Sequence, residues 1–296
     1  MIECDLEGYA IGLDPFTQAD LIKRQFDKNG FVVISDVVTQ EELRVVRNRV
    51  MELLALYQHQ VDSCGVPIIS RGFFEIYHDC SLAMVRQSQG FYKAHTIIWD
   101  RIDLWVTFDR FVVKNPNTVG LPLHLDQNPN LQPGFDCTQG LVSICNNLSS
   151  CGSILLVAGS HKNFEQSKQF CNDTENYCPV PPNSELYFEL NNSSYNINLR
   201  DGDGLIWDSR VIHGSSDNIS EQTRIAALVS YQPQTDNYSR LKRVIAFANC
   251  EAYNDRNARM HASIRPRFND SLFMQTIQRD FQITTLGKLL YGIMEY

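Results

Sequence analysis

The sequence predicts a β-rich α+β fold, in which a core of two β-sheets carries helices on its outside. The first hundred residues alternate helical and strand patterns, whereas short apolar segments separated by Gly, Pro, Asn and Ser dominate from residue 104 to 232. Hydrophobic residues make up 43% and charged residues 20% of the 296, as in a globular protein. This composition excludes a disordered or fibrous chain.

The first three elements are predicted to be a helix, a strand and a second helix. Residues 18–28 form a short amphipathic pattern that ends at an Asn-Gly pair typical of turns. FVVISDVV (31–38) is short and rich in β-branched residues, which predicts a strand. A T-x-x-E capping box then begins at Thr39, and apolar residues at helical spacing continue to about His59. We expect that long helix to pack against the outside of a sheet.

A further helix is expected over roughly 88–99, and the β-rich part of the chain follows it. Short strands are predicted at 104–113, 140–147, 152–159, 195–199, 204–208 and 224–232. The insert 162–185 contains three prolines and is interpreted as a loop or lid.

Neither a repeat nor a linker divides the chain, so a single domain over residues 1–296 is expected. It consists of a helical N-terminal part (1–100), the β core (101–235) and a C-terminal helical segment (236–296). That segment contains helical patterns at 270–280 and in TTLGKLLYGI, which we expect to dock back on the core.

Charge and cysteine content narrow the partners and the compartment. A net charge of −8 and a pI near 5.4 argue against binding to nucleic acid or to an anionic membrane surface. The start, MIECDLEGYA, lacks the positive flank and apolar run of a signal peptide, and no apolar run reaches the roughly 18 residues that span a bilayer. The nine cysteines form no CxxC pair, so we expect free thiols in a reducing cytoplasm.

One of the seven histidines has a carboxylate two residues away. His124 and Asp126 lie in LPLHLDQNP, and residues i and i+2 of extended backbone point to the same face. A third ligand could come from His213, at the end of a strand in GLIWDSRVIHGSS. Two histidines and one carboxylate on one face of a metal leave three open positions, as in non-haem Fe(II) oxygenases. The alternative for H-x-D alone is a His–Asp hydrogen bond at a strand end.

Arg224 adds a possible anion site. It lies eleven residues beyond His213 and opens an otherwise apolar strand. An unpaired buried guanidinium is costly, and its planar shape matches a carboxylate with two hydrogen bonds. A dicarboxylate co-substrate that chelates iron at one end could therefore reach Arg224 with the other.

Together these features resemble the phytanoyl-CoA dioxygenase family of Fe(II)/2-oxoglutarate-dependent oxygenases. Four segments carry the resemblance in the family's order: FDKNGFVVISDVVTQEEL near the start, HLD at 124–126, GSILLVAGSHK at 152–162 and GDGLIWDSRVIHGSSDNISEQTR at 202–224. They span most of the chain, and their joint occurrence is specific although each alone is weak.

The resemblance implies a double-stranded β-helix, or jelly-roll, core with flanking helices. It implies iron ligation by His124, Asp126 and His213, with 2-oxoglutarate chelating the metal and O2 as the oxidant. It further implies that Arg224 pairs with the distal carboxylate of 2-oxoglutarate and that Ser215 hydrogen-bonds nearby. Because related halogenases lack the carboxylate ligand, Asp126 favours hydroxylation or a related oxidation, coupled to decarboxylation of 2-oxoglutarate to succinate.

The primary substrate is expected to be a small molecule, and several side chains bear on its recognition. Segment 240–267 carries seven Lys or Arg against two acidic residues and could attract an anionic substrate, although a solvated charged segment is the commoner case. Arg110 could pair with 2-oxoglutarate or substrate, or it could face outward or form an ion pair with the neighbours of Asp109. Gln139 could be a polar substrate contact in the pocket. Trp105 and Trp207 are expected to fill the core.

Two other functions stay open from the sequence. The first is a non-catalytic jelly-roll binding or scaffold protein, against which the intact ligand set argues because decayed sites usually lose a member. The second is a hydroxylase of protein side chains. The chain shows no obvious peptide-docking module, but a docking groove would leave no signature in the sequence.

Overall fold

The structure is a computed structural model that describes residues 2–61, 65, 67–70, 72–74, 76–249 and 281–296. Its helices are α1 (Ala19–Asn29), α2 (Gln40–Tyr57), α3 (Cys80–Arg86), α4 (Gln89–Trp99), α5 (Glu185–Asn192), α6 (Asn237–Asn249) and α7 (Thr285–Leu290), with a 3₁₀-helix at Ser160–Phe170. Its strands are β1 (Phe31–Ile34), β2 (Ile69–Ser70), β3 (Phe73–Phe74), β4 (Leu104–Val106), β5 (Phe111–Lys114), β6 (Leu121–Leu125), β7 (Thr138–Cys145), β8 (Ile154–Val157), β9 (Cys178–Pro179), β10 (Ser194–Ile197), β11 (Gly204–Asp208), β12 (His213–Ser215), β13 (Arg224–Leu228) and β14 (Tyr231–Pro233).

The strands form two antiparallel sheets. In the described part of the chain the larger sheet has nine strands, in the order β1-β11-β7-β13-β5-β3-β2, with β14 pairing with β7 and β4. The smaller sheet has five, in the order β10-β8-β12-β6-β9. Strands distant in sequence are neighbours in both sheets, and β13 lies between β5 and β7. The predicted two-sheet core is therefore present.

Alternation along the strands sorts the apolar side chains into three layers. One buried cluster lies between the sheets and draws Leu141 and Leu205 from the larger sheet and Leu156 from the smaller one. The residues that alternate with them, such as Val142 and Ile206, face outward and pack with the helices. A third cluster covers the outer face of the smaller sheet. Because successive side chains of a strand point to opposite faces, every second residue of each strand faces the interior between the sheets.

The N-terminal helices follow the sequence prediction closely. α1 ends at Asn29 and is capped by Gly30, whose φ of 82° is the left-handed conformation that glycine adopts most easily. α2 begins at the predicted capping box, in which the Thr39 side chain accepts from the Glu42 amide and the Glu42 carboxylate accepts from the Thr39 amide. Its buried face packs against the outer side of the larger sheet, as expected. Burial of each aliphatic side chain on that face contributes about 1.5–3 kcal/mol.

Two predicted strands are each divided in the structure. The segment 104–113 forms β4 and β5, and the segment 224–232 forms β13 and β14. Between the Ala227–Phe111 pair and the Tyr231–Val106 pair, residues 228–230 face residues 107–110, so three positions oppose four. An unequal count interrupts the ladder and bends the strands, as a bulge does.

Other boundaries also differ from the prediction. The strand expected over 31–38 ends at Ile34, because the chain turns at Asp36, which adopts a φ of 48°. The insert 162–185 is partly regular: it continues the 3₁₀-helix and contains β9, which extends the smaller sheet beside β6. Helix α3 was missed, although Asp79 caps its first turn.

The C-terminal segment docks on the core through α7. The hydroxyl of Tyr296 donates to Leu104 O at 2.7 Å, and Arg243 of α6 donates to Leu290 O at 3.0 Å. Arg243 is fully buried, so this member of the basic segment is structural and is not part of a charged surface. The predicted helix at 270–280 and most of the basic segment lie outside the described residues.

Two sequence expectations about environment can be compared with the described residues. None of their helices combines the length and apolar character needed to cross a membrane. Seven of the nine cysteines are described, and all seven are free thiols. Cys64 and Cys250 lie outside the described residues.

Candidate metal centre

The three predicted ligand side chains meet between the sheets. His213 opens β12 opposite His124 of β6, and Asp126 directly follows the last residue of β6. His124 Nε2 is 3.5 Å from Asp126 Oδ1, and His213 Nε2 is 3.3 Å from Asp126 Oδ2. Two ligand atoms bound at right angles, each about 2.1 Å from a metal, lie about 3 Å apart. The arrangement therefore fits one metal ion, and we call these residues the triad.

Hydrogen bonds prepare both histidines to bind through Nε2. The Nδ1 of His124 is 2.7 Å from Pro122 O, and the Nδ1 of His213 is 2.9 Å from Val211 O. A carbonyl oxygen can only accept, so each Nδ1 carries the proton and each Nε2 of the neutral ring has a free lone pair. In the part of the chain that the structure describes, no other cluster of three His, Cys, Asp or Glu could hold a metal.

The charge balance of the triad suits a cation. Burial alone would raise the pKa of Asp126, but the charge of His213 and hydrogen bonds with both histidines hold it well below its usual range. Burial likewise tends to lower the pKa of His213, but the Asp126 carboxylate raises it overall. Asp126 is therefore anionic at neutral pH and offers a negatively charged ligand to a cation.

Gln139 contacts the triad. Its Nε2 donates to Asp126 Oδ2 at 2.7 Å, and its Oε1 accepts from Trp207 Nε1 at 2.8 Å. Gln139 lies in the interior, as the sequence suggested, and there it contacts a metal ligand. Trp207 fills the interior as predicted and also holds this amide.

Arg224 begins β13 and is 2% exposed. Its Nη1 donates to Gly152 O at 2.6 Å, while its buried Nε has no hydrogen-bond partner among the described residues. Within those residues no carboxylate makes a salt bridge to it. Burial lowers the pKa of Arg224 to about 10, which leaves it charged at neutral pH. A buried cation without a counter-ion is costly, so this site fits an anionic ligand.

Lys114, the last residue of β5, is a second cation that the sequence prediction missed. It lies directly opposite Arg224 in the β5–β13 register and is 4% exposed. Burial, followed by repulsion from Arg224, lowers the pKa of Lys114 to about 8. We call Arg224 and Lys114 the cation pair. The available signal was a lysine that ends the otherwise apolar strand FVVK.

Ser215 joins the cation pair to the strand that carries His213. Its Oγ accepts from Lys114 Nζ at 2.8 Å and from Leu121 N at 3.0 Å. Lys114 Nζ also donates to Ser216 O at 2.7 Å. Because Ser215 Oγ accepts both bonds, its own proton remains available to donate to an anion.

Arg110 lies at the other end of β5 from the cation pair. It directly precedes the strand, and its guanidinium carbon is 4.3 Å from the centre of the Phe73 ring. Arg110 and Lys114 are four positions apart, which corresponds to about 13 Å along the backbone of an extended strand. The structure therefore brings Arg224, Ser215 and Lys114 together but does not bring Arg110 to them.

Comparison with known proteins identifies the family. The family model described as "Phytanoyl-CoA dioxygenase (PhyH)" matches residues 26–226, which is more than half of the chain. A curated relative, "Ava biosynthesis cluster protein O" of Aspergillus versicolor, is 22% identical over 236 residues, which cover 71% of this chain and 76% of that protein.

Solved structures show the same fold. The epimerase SnoN, in complex with Fe3+, alpha ketoglutarate and nogalamycin RO, has a TM-score of 0.57 at 13% identity and covers 73% of this chain and 83% of its own. The carbocyclase SnoK from nogalamycin biosynthesis has a TM-score of 0.54 at 14% identity and covers 76% and 87%. EctD from S. alaskensis, with 2-oxoglutarate and 5-hydroxyectoine, has a TM-score of 0.56 at 17% identity and covers 79% and 83%.

These comparisons confirm the predicted jelly-roll core and the predicted family. The matched region contains the whole triad, Ser215 and both members of the cation pair. The chain belongs to the phytanoyl-CoA dioxygenase family.

Proposed function

We propose that the protein is an Fe(II)- and 2-oxoglutarate-dependent oxygenase that hydroxylates a small molecule. The overall reaction converts the substrate, 2-oxoglutarate and O2 into hydroxylated substrate, succinate and CO2. The observation that carries this proposal is the pairing of a complete His-Asp-His triad with buried cations that have no carboxylate partner among the described residues.

The spacing of the two regions supports a dicarboxylate co-substrate. Ser215 and His213 lie two residues apart on β12 and so on the same face, about 7 Å apart along the strand. Lys114 Nζ donates to Ser215 Oγ, and Arg224 is the cross-strand partner of Lys114. A five-carbon dicarboxylate has about the length needed to bind a metal at the triad with one end and the cation pair with the other.

Each residue has a distinct part in this mechanism. His124, Asp126 and His213 would hold Fe(II) on one face and leave the opposite face for 2-oxoglutarate and O2. Bound there, Fe(II) supplies the redox chemistry that O2 activation requires. Arg224 and Lys114 would neutralise the distal carboxylate, and Ser215 would donate to it. The triad contributes a single negative charge, which leaves the bound dication attractive to an anionic chelator.

Features of similar proteins support a small-molecule substrate. The SnoN complex contains nogalamycin RO, the EctD complex contains 5-hydroxyectoine, and the curated relative belongs to a biosynthesis cluster. Hydroxylation is the proposed outcome for this chain, although SnoN and SnoK are an epimerase and a carbocyclase. Among the described residues, Arg110 is the candidate for contact with an anionic substrate. The whole chain is proposed to act as a single domain in the cytoplasm.

Turnover of 2-oxoglutarate without primary substrate tests the proposal. The purified protein is supplied with Fe(II), 2-oxoglutarate and air, and succinate is measured over time. We expect slow O2-dependent succinate formation that is absent in Asp126→Ala and retained in Asp173→Ala, a control at an exposed carboxylate. A parent protein that binds neither Fe(II) nor 2-oxoglutarate would instead support the scaffold function.

A further inference from the structure

Among the described residues, each ligand side chain of the triad makes one hydrogen bond outside the triad, and that of Asp126 alone comes from another side chain. His124 and His213 use backbone carbonyls, whereas Asp126 accepts from Gln139 Nε2. We propose that Gln139 is a positioning residue that fixes the Asp126 carboxylate for metal binding, and that Trp207 fixes Gln139. This inference rests on the proposed function, since it takes Asp126 as an iron ligand.

The chemistry of the three groups determines which way the Gln139 amide faces. An indole N–H can only donate, so the atom of Gln139 that faces Trp207 must be the carbonyl oxygen. An ionised carboxylate can only accept, so the atom that faces Asp126 must be the amide nitrogen. Both contacts select the same orientation of the amide. If the amide were reversed, the Trp207 N–H would point at an NH2 group and the carbonyl oxygen would face the carboxylate.

Asp126 needs such a contact more than the histidines do. His124 and His213 are paired with each other in the ladder of the smaller sheet, which fixes their backbones. Asp126 lies beyond the last residue of β6 and has 16% of its side chain exposed. A carboxylate at a strand end can rotate toward solvent, and an ordering hydrogen bond opposes that rotation.

Trp207 is well placed to hold Gln139 still. The two residues are direct cross-strand partners in the β11–β7 register, and both side chains face the interior. Trp207 is 4% exposed, so its ring is fixed by packing. The contacts thus run from a packed aromatic of the larger sheet, through a flexible amide, to a metal ligand attached to the smaller sheet. They would orient the carboxylate before metal arrives.

Metal affinity, measured without turnover, tests the inference. Apoprotein variants are titrated anaerobically with Co(II), following heat and the visible absorption of the bound ion. Gln139→Met, which keeps the length of the side chain but removes the amide, should weaken binding about 10- to 100-fold. Trp207→Phe, which keeps an aromatic ring, should weaken it about three- to tenfold, equivalent to one neutral hydrogen bond.

Trp99→Phe is the matched control. Trp99 Nε1 donates to Thr138 Oγ1 at 3.0 Å, and Thr138 is the neighbour of Gln139 on β7. The control therefore loses the same kind of indole hydrogen bond to the same strand, and among the described residues Trp99 makes no hydrogen bond to the triad. It should bind Co(II) like the parent. Thermal unfolding of each apoprotein shows whether the variant is folded.

The double variant separates a relay from independent packing effects. If Trp207 acts through Gln139, then Gln139→Met combined with Trp207→Phe should bind Co(II) no more weakly than Gln139→Met alone. Parent-like affinity in folded Gln139→Met, or additive losses in the double variant, would overturn the inference. Asp126→Ala distinguishes this failure from that of the proposed function. If Asp126→Ala also binds Co(II) like the parent, the triad itself is not the metal site.

Discussion

The interior between the two sheets contains two polar regions whose charges are balanced in opposite ways. In the triad, the Asp126 carboxylate lies between two imidazoles and accepts from Gln139, and each histidine is anchored to a backbone carbonyl. In the cation pair, two positive side chains lie on adjacent strands, and no described carboxylate makes a salt bridge to either of them. Asp217 affects Lys114 only as a longer-range charge.

This difference shows how each region would meet its ligand. The triad is ordered by contacts within the protein, so a cation would bind there to groups that are already positioned. The cation pair is destabilised by burial and mutual repulsion, which an anion would relieve. Ligand side chains that are already hydrogen-bonded within the protein therefore indicate a preorganised metal site. Buried cations without a counter-ion indicate a binding site for an anionic co-substrate.

Removal of the triad carboxylate should have the largest effect. Asp126→Ala loses a direct ligand and the only negative charge of the triad, so metal affinity should fall by more than the 10- to 100-fold typical of lost outer contacts. Anaerobic titration with Fe(II) measures it, with Asp173→Ala as the control at an exposed carboxylate. Unchanged iron affinity in Asp126→Ala would show that the triad is not the metal site.

Removal of Arg224 should have the next largest effect, and only on the co-substrate. Hydrogen bonds to charged groups contribute about 1.5–3 kcal/mol each, so Arg224→Ala should weaken 2-oxoglutarate binding at least about tenfold. Arg224→Lys should restore part of the affinity, because an ammonium cannot reproduce the planar fork. Calorimetric titration into the anaerobic iron-loaded protein measures both. Loss of iron instead of 2-oxoglutarate would show that the two regions are not separate.

Lys114 should matter less than Arg224 because its ammonium is already bonded to Ser215 and Ser216. Lys114→Met should weaken 2-oxoglutarate binding about three- to tenfold, the range of one partly satisfied ionic hydrogen bond. The same change should raise the free energy of unfolding of the apoprotein, since it removes a buried charge beside Arg224. Denaturant unfolding tests that second effect, and a less stable Lys114→Met would contradict the repulsion on which the comparison depends.

The smallest effect should be a dependence of co-substrate affinity on pH. The pKa of Lys114 is lowered to about 8 from 10.5, so between these values the folded apoprotein binds fewer protons than the unfolded chain. The destabilisation caused by Lys114 is therefore present below about pH 8 and is relieved as pH rises from there. Over the same rise, loss of its charge should weaken 2-oxoglutarate binding a few-fold. Titrations at pH 7, 8 and 9 should show this trend in the parent and not in Lys114→Met.

Much of the fold could be predicted because its determinants are local. The capping box at Thr39 and the glycine after α1 lie within a few residues of the ends they set. The same is true of His124 and Asp126, since a two-residue spacing in extended backbone places both side chains on one face. The site roles of His213, Arg224 and Ser215 were predicted from the order of the motifs and from the family resemblance. The helix ends and the His124–Asp126 pair thus depend on patterns within a short stretch of sequence, whereas the other three residues depend on motifs spread along the chain.

Cross-strand register decided the rest. The pairing of Lys114 with Arg224 joins residues 110 positions apart, and the Trp207–Gln139 bond spans 68. The sequence shows a lysine at a strand end and a glutamine at a strand start, but their partners follow only from which strands pair and where each ladder is interrupted. A one-residue shift in register would turn every side chain of a strand to the opposite face. The sequence thus determined the elements and the ligand motif, whereas tertiary pairing placed a second cation beside Arg224 and an amide against Asp126, because those contacts join strands far apart in the chain.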